Sequence, residues 1–493
     1  MKKSDQNLIP DRPNPSPDYY CTWQTQLYAT CDGKPAEQRK SINEKALFKT
    51  EKPYGWSNFH EAARRDLLLV MDDSWDVPPD GDSSYYGSLI LNLEKFPEAT
   101  AGDIPNGTAL KRLVDRIRSA GWKGVGGWVC AQESKRFIGN TDPESYWRER
   151  LEDSARSGFA YWKVDWGKRA GDAAFRRMLT DLGHKIAPGL TVEHAIIPEI
   201  IPHADVYRTY DVPAVLSVPM TMRKLAEILP GQQTDSGCLG LINCEDEAYL
   251  AAAGGFTMGI MRHPFAGAFP DGRADMSFPA LHRNLKTKMQ EITRAVRWHR
   301  IAPAFGVGEG AGSVDPVLLC DSWHFVNPDE EIEEWWLRNP LLGEIRDGTA
   351  TVSAPARISR GCPLPAVMPD ENGSVPYVVA ARNPNGVCSV VTLGRTVDRA
   401  YGIPRCDVTL CTADAQTVAA FGDYRRLILE TEIPDIRAVF MQDLAGSAAY
   451  DITEDIRLER GQIVIPGELI RKIGTECQPA DDTSEPGVVI RLN

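Results

Sequence analysis

Between residue 19 and about residue 305 the chain alternates short apolar runs with stretches of helical period. The runs are YYCTW (19–23), DLLLVM (66–71), GVGGWVC (124–130), FAYWKVD (159–165), LTVEH (190–194), DVYRTYD (205–211), LGLIN (239–243) and GFTMGIM (255–261). That alternation marks βα units around a parallel sheet. Between the runs, Leu110, Leu113, Val114 and Ile117 follow helical spacing, with Thr108 as the expected N-cap and Gly121 as the stop. Phe175, Met178, Leu179 and Leu182 form a second stripe, and Leu281, Leu285, Met289, Ile292 and Val296 a third. All three read as core packing. Eight strands with interleaved helices in under 300 residues predict a (β/α)8 TIM barrel. An open doubly wound sheet is the weaker alternative, because no GxGxxG follows the first strand.

From about residue 310 the helical periods fade. Strand-like runs appear at 350–354, 376–381, 387–393, 406–411, 425–430, 436–441, 462–465 and 487–492, separated by turn residues such as Asn383-Pro384-Asn385-Gly386. This pattern predicts a C-terminal antiparallel β-sandwich of about 150 residues. The expected division is a catalytic barrel over 1–308 and a sandwich over 309–493, with PDEEIEEWWLRNP (328–340) in the connection. No internal repeat or low-complexity tract is present.

Composition narrows the partners. The 493 residues are 42% apolar and 25% charged, an ordinary globular mixture. Lys plus Arg is 55 against 68 Asp plus Glu, a net charge of −13. So acidic a chain has no general attraction for nucleic acid or an anionic membrane. The first twenty residues carry two lysines but no apolar run after them, so no signal peptide is expected, and no stretch of 18 apolar residues suggests a membrane span. The expected location is the cytoplasm. The eleven cysteines are scattered without a CxxC pair and read as reduced thiols, with a Cys21–Cys31 disulfide as the alternative.

In a barrel the site lies at the C-terminal ends of the strands. There the second run ends in Asp72-Asp73, the third near Trp128 and Cys130, and the fourth in Lys163 and Asp165. The fifth ends in Glu193, the sixth in Arg208 and Asp211, and the seventh in Asn243 with Asp246 beyond. Each carboxylate alone reads as a cap, an ion pair or a solvated strand end. Five converging on one mouth beside apolar strands are costly unless paired or used. With Trp23, Trp128, Trp162 and Trp166 nearby, sugar fits: its hydroxyls donate to carboxylates and its ring faces stack on indoles. Glycoside hydrolysis needs two carboxyl groups across the scissile bond. His194 and His203 form neither HxH nor HExxH, so a metal site is not expected, and no GxSxG elbow supports a serine nucleophile.

The segment LVMDDSWDVPPDGDSSYYGSLILNLEKFP resembles the second-strand pattern of glycoside hydrolase family 27: an Asp-Asp pair, a Trp, an excursion, then a basic-Phe-Pro stretch. LKRLVDRIRSAGWKGVGGW resembles that family's next unit, and YWKVDWG its Lys-x-Asp nucleophile strand. The resemblance covers about residues 60–265 and is strongest at 69–97 and 158–168; family 36 shares the clan. It implies a barrel followed by a β-sandwich, and no cofactor. It implies Asp165 as nucleophile, Lys163 as a hydroxyl-binding group that keeps Asp165 ionised, and Asp72 and Asp73 as hydroxyl acceptors. Trp128, Glu193, Arg208 and Asp246 complete the implied substrate-binding set, to which the indole argument adds Trp23, and Asp211 is the implied acid/base.

Departures mark a divergent member. Ser74 stands where the family commonly has Cys, Trp166-Gly167 where it often has Asn-Cys, and Arg208 and Asp211 are three residues apart rather than four. Asp205 is the alternative acid/base, although it begins its run. The expectation is therefore a retaining exo-α-glycosidase of the α-galactosidase type, acting on a glycoside or oligosaccharide. Alternatives are a same-clan β-L-arabinopyranosidase, α-N-acetylgalactosaminidase or transglycosylase, and an inactive carbohydrate-binding barrel; a metal-dependent barrel hydrolase comes last. Homo-oligomerisation is left open.

Overall fold

Strands buried on both faces need apolar residues on both faces, and the runs above have them. In the computed structural model they form one closed parallel barrel. Its strands are β1 Tyr19–Cys21, β2 Leu68–Met71, β3 Gly124–Val129, β4 Tyr161–Val164, β5 Thr191–His194, β6 Val206–Arg208, β7 Leu241–Glu245 and β8 Thr257–Ile260. β8 returns to β1 through the pairs Tyr19–Gly259 and Tyr20–Ile260. The structure describes residues 1–30, 39–51, 55–209, 216–230, 240–262, 264, 287–324, 344–346 and 348–493.

Helices follow most strands. Asp172 caps Ala173–Ile186 by accepting from Phe175 N at 2.9 Å, and Asp142 caps Pro143–Ser157 by accepting from Ser145 N. The first helical stripe forms Asn106–Ser119, but Thr108 is not its N-cap. Pro105 occupies that position, and Thr108 lies inside the first turn, its N–H donating to Pro105 O. Asn106 is occupied elsewhere, accepting from Leu91 N and donating to Leu89 O and Asp153. The third stripe appears as Met289–His299; its expected members Leu281 and Leu285 lie outside the described residues. After β5 the chain makes a 3-10 turn, Pro198–His203, where an α-helix would be regular; Pro202 inside it has no N–H to give.

Past residue 310 two sheets pack face to face. The larger has nine strands in the order Lys2–Lys3, Tyr450–Asp451, Val439–Asp443, Gly487–Leu492, Thr417–Phe421, Cys388–Leu393, Tyr377–Arg382, Arg357–Arg360, Gly312–Val314. The smaller has five, with Asp407–Ala413, Arg426–Thr431 and Gln462–Pro466 at its centre. Val378, Val390 and Val418 of one face meet Leu410, Leu427 and Ile463 of the other. Pairing is mostly antiparallel, but three neighbours run parallel, including Cys388–Leu393 beside Thr417–Phe421. Lys2–Lys3, on the barrel side of a division at residue 308, pairs with Tyr450–Asp451 of the sandwich. Among the described residues no helix is long and apolar enough to cross a membrane.

The sandwich finishes the barrel. Asp482 accepts from Met289 N at 2.9 Å and Gln290 N at 3.0 Å, so it satisfies the exposed N–H groups at the start of helix Met289–His299. On the same helix Arg294 makes a two-pronged pair with Asp443 at 2.9 and 3.2 Å, both residues fully buried. Arg360 donates to the carbonyls of Gly254, Gly255, Phe305 and Gly306. Removing one partner of a buried pair strands the other charge. Asp443→Ala is therefore expected to destabilise the protein by about 3–5 kcal/mol. Arg294→Met combined with Asp443→Leu should recover much of that loss. Denaturant midpoints with unchanged slope would check both; a wild-type midpoint for Asp443→Ala would show that the clamp contributes nothing.

Candidate active site

Side chains of a strand alternate, so residues two apart share a face. On β4 and just past it this aligns Lys163 with Asp165, and on β7 Asn243 with Glu245. Lys163 Nζ lies 2.9 Å from Asp72 and 3.8 Å from Glu245. Arg208, at the end of β6, lies 2.7 Å from Asp165, 3.4 Å from Glu245 and 3.6 Å from Glu193. Trp128 Nε1 donates to the second oxygen of Asp165 at 3.0 Å. Trp128 is itself held by Trp75 Nε1, which donates to its carbonyl. The result is one continuous chain of charge: Asp72, Lys163, Glu245, Arg208, Asp165.

The site separates its carboxylates by environment. Burial alone would raise the Asp165 carboxyl, but the charges of Arg208 and Lys163 and the hydrogen bonds from Trp128 and Arg208 hold it below the ordinary aspartate value. Glu245 goes the other way: burial outweighs Arg208 and Lys163, Glu193 and Asp165 add repulsion, and its carboxyl is pushed up to about 7. Burial likewise pushes Asp73 up to about 7, although Ser74 donates to it at 2.7 Å. Ser74 sits at φ +71°, in the left-handed region a serine rarely adopts, so the turn after β2 is held by its surroundings. Lys95, buried beside that turn, donates to Ser74 O.

Asp72, Asp73, Trp128, Lys163, Asp165 and Arg208 thus come together at the C-terminal ends of their strands, as the sequence reading expects. Arg208, rather than Lys163, is the direct partner of Asp165; Lys163 is paired to Asp72. Glu193 is also present but fully buried, accepting from Tyr161 OH and Asn243 Nδ2 at 2.7 Å each. Asp246 turns away at φ +55° and accepts from Met261 N, Arg262 N and Arg262 Nε. Glu193 is thus engaged by neighbouring protein donors, and one oxygen of Asp246 is engaged at the end of β8. Trp23, partly exposed, opens the helix after β1 and packs by Tyr19, Cys21 and Met261. Asp211 lies outside the described residues. Asp205 precedes β6, accepts from Val192 N and faces His184, away from the strand ends. Cys21 is a free thiol, not a disulfide, and donates to Asp72 at 2.9 Å. His194 is buried between Thr180 and Arg176, an internal hydrogen-bonding role. Among the described residues no group of three or more His, Cys, Asp or Glu is arranged to hold a metal ion.

Glu245 is the site residue the sequence reading misses. The apolar run LGLIN ends at Asn243, but the strand continues to Glu245, which pairs with Gly259. Continuing the two-residue alternation from Asn243 would have found it.

No family model matches the chain, and no curated protein matches it by sequence. Among solved structures, a GH36 α-galactosidase from Geobacillus stearothermophilus aligns with 66% of this chain at 14% identity and a TM-score of 0.34. The chain spans about half of that structure, 47% of its length. An α-amylase from Geobacillus thermoleovorans aligns with 98% of this chain and 99% of its own at 9% identity and a TM-score of 0.41.

Glu245 and Asp73 keep protons that their unfolded forms release near pH 4. Their contribution to stability is complete below that pH and is lost as pH rises through about 7. Glu245→Gln removes its share. Its thermal midpoint should stay near wild type at about pH 5 and exceed it at about pH 8. Parallel midpoint curves would place the Glu245 titration outside this window.

Proposed function

We propose that this chain is a retaining, exo-acting glycoside hydrolase that cleaves a terminal α-glycosidic bond, first of all an α-galactoside, by double displacement. The observation that carries the reading is Asp165: a buried, ionised carboxylate at a barrel strand end, with Arg208 on one oxygen and Trp128 on the other. Such a group is a poised nucleophile rather than a strand-end salt bridge, because the cations around it are shared with three further acids, Asp72, Glu193 and Glu245. The neighbouring Asp72–Lys163 pair offers an acceptor and a donor to vicinal hydroxyls, and Asp73 adds a second acceptor.

In the first step Asp165 forms a bond to the anomeric carbon while the glycosidic oxygen leaves, taking a proton from Asp211. In the second, water gives a proton to Asp211 and attacks the same carbon, releasing Asp165. Arg208 and Trp128 hold the Asp165 oxygens in line for both steps. As the ester forms, the negative charge of Asp165 disappears, and the acid/base is then free to act as base. Glu193 and Asp246 act behind the site: Glu193 steadies Arg208, and Asp246 fixes the end of β8 through Arg262. Nothing in this scheme needs a cofactor. A sugar without the galactose C5 substituent, as in a β-L-arabinopyranoside, or with an acetamido group at C2, as in an N-acetyl-α-galactosaminide, would meet the same carboxylates, so both belong in one screen of aryl glycosides.

Asp165→Ala and the closer-shaped Asp165→Asn should both fall below about a hundredth of wild-type turnover in that aryl-glycoside screen, since a lost nucleophile costs several kcal/mol of barrel-site catalysis. Proton NMR of the first-formed sugar should show the retained anomer; an inverted one would overturn double displacement. Asp211→Ala should lose far more on poor leaving groups than on activated aryl glycosides. Equal loss on both would remove Asp211 from the acid/base role.

A further inference from the structure

Trp166 directly follows Asp165, and it is built unlike its neighbours. Trp128 and Trp162 are fully buried, whereas Trp166 is 41% exposed. Single exposed apolar residues are common and need no explanation by themselves. This one is held rigidly. Ala131 N donates to the Trp166 carbonyl at 2.8 Å, and Arg169 N returns to the Ala131 carbonyl at 2.8 Å. The next residue, Gly167, sits at φ +149°, where a Cβ would come within 2.7 Å of Ala131 backbone atoms. Only glycine fits there, so the close approach of this turn to the Ala131 backbone depends on Gly167.

The ring itself is supported on part of its surface. Its centre lies 5.2 Å from that of Tyr86 at an interplanar angle of 74°, and 5.3 Å from that of Trp128 at 57°. Tyr86 is buried and Trp128 is the residue that orients Asp165. The loop after β2, strand β3 itself and the loop after β4 therefore build one aromatic support, and its outermost member keeps its remaining surface in water. On the next loop Ile196 is also exposed, at 43%, and held at φ +79°, a strained conformation for a β-branched side chain. A large, preorganised, solvent-facing indole beside a nucleophile suits a flat ring face: it offers contact area at little entropic cost.

Resting on the glycosidase reading above, we propose that Trp166 is the stacking platform of a leaving-group subsite, which selects substrates whose aglycone presents a ring face, either a second pyranose or an aryl group. The charged groups around Asp72 and Lys163 take the hydroxyls of the terminal sugar, and Trp166 takes the group that departs.

The test compares two activated substrates of the glycosyl group identified by the screen: the p-nitrophenyl glycoside, which has a ring, and the glycosyl fluoride, which has none. Neither depends strongly on protonation of the leaving group, so their difference reports ring stacking. For Trp166→Ala, kcat/KM on the aryl glycoside should fall at least about tenfold more than on the fluoride, mostly through KM. Trp166→Phe should recover most of that difference. Trp166→Gln, which keeps bulk without a ring, gives the same comparison where the alanine variant does not fold. Equal losses on the two substrates, or a loss confined to the fluoride, would overturn the subsite and leave the glycosidase reading standing. A wild-type protein silent on every glycoside and fluoride would overturn both.

Discussion

Arg208 is the charge on which the barrel mouth depends. Without it Asp165, Glu193 and Glu245 would be three buried acids facing one another, a repulsion that a low-dielectric interior magnifies. With it, each acid lies within 3.6 Å of one guanidinium. The planar fork matters as much as the charge, because a lysine could not address three carboxylates from fixed directions. Lys163 performs the simpler task, a point charge between Asp72 and Glu245. The unequal sharing lowers the Asp165 carboxyl and leaves that of Glu245 raised, so one cluster holds acids that release their protons in different pH ranges.

Such a cluster tolerates little movement, and the fold supplies the stiffness. Each charged group is fixed at a strand end rather than on a loop tip. Three of the acids are also backed by neutral donors: Trp128 behind Asp165, Tyr161 and Asn243 behind Glu193, Cys21 behind Asp72. The sandwich extends this stiffness, because helix Ala248–Gly254 after β7 packs against its larger sheet, with Tyr249 beside Phe421 and Ser389 donating to Ala253 O. The segment that positions Glu245 is thereby braced from behind by the second half of the chain.

All eight barrel strands were legible in the sequence, because a parallel strand leaves a compact apolar run that few other elements imitate. The acids and bases at the strand ends were legible for the same reason: Asp72, Asp165 and Arg208 stand where an apolar run stops. What was not legible depended on which way a side chain turns after the run. Asn243, Glu245 and Asp246 all sit at one strand end; alternation from Asn243 puts Glu245 on the Arg208 side, but nothing in the sequence shows that Asp246 bends back to Arg262. Glu193 looked like its neighbours and proved deeper, because Tyr161 and Asn243 close over it. The strand Thr417–Phe421 went unread although Gly422-Asp423 closes its short TVAAF run, because five residues give little alternation to count and parallel pairing inside the sandwich has no local signature.

The cap that Asp482 places on helix Met289–His299 spans 193 residues of sequence, and Leu8 N donates to Gln442 across 434. A ribosome adding about 5–20 residues per second leaves that helix uncapped for roughly 10–40 s after its own residues emerge. For that interval the nascent barrel has a loose closing unit and an uncovered flank where helix Ala248–Gly254 will later dock. The molecule therefore cannot mature one domain at a time, and a truncated product ending before residue 482 would carry its unfinished seam exposed to chaperones, proteases and other nascent chains.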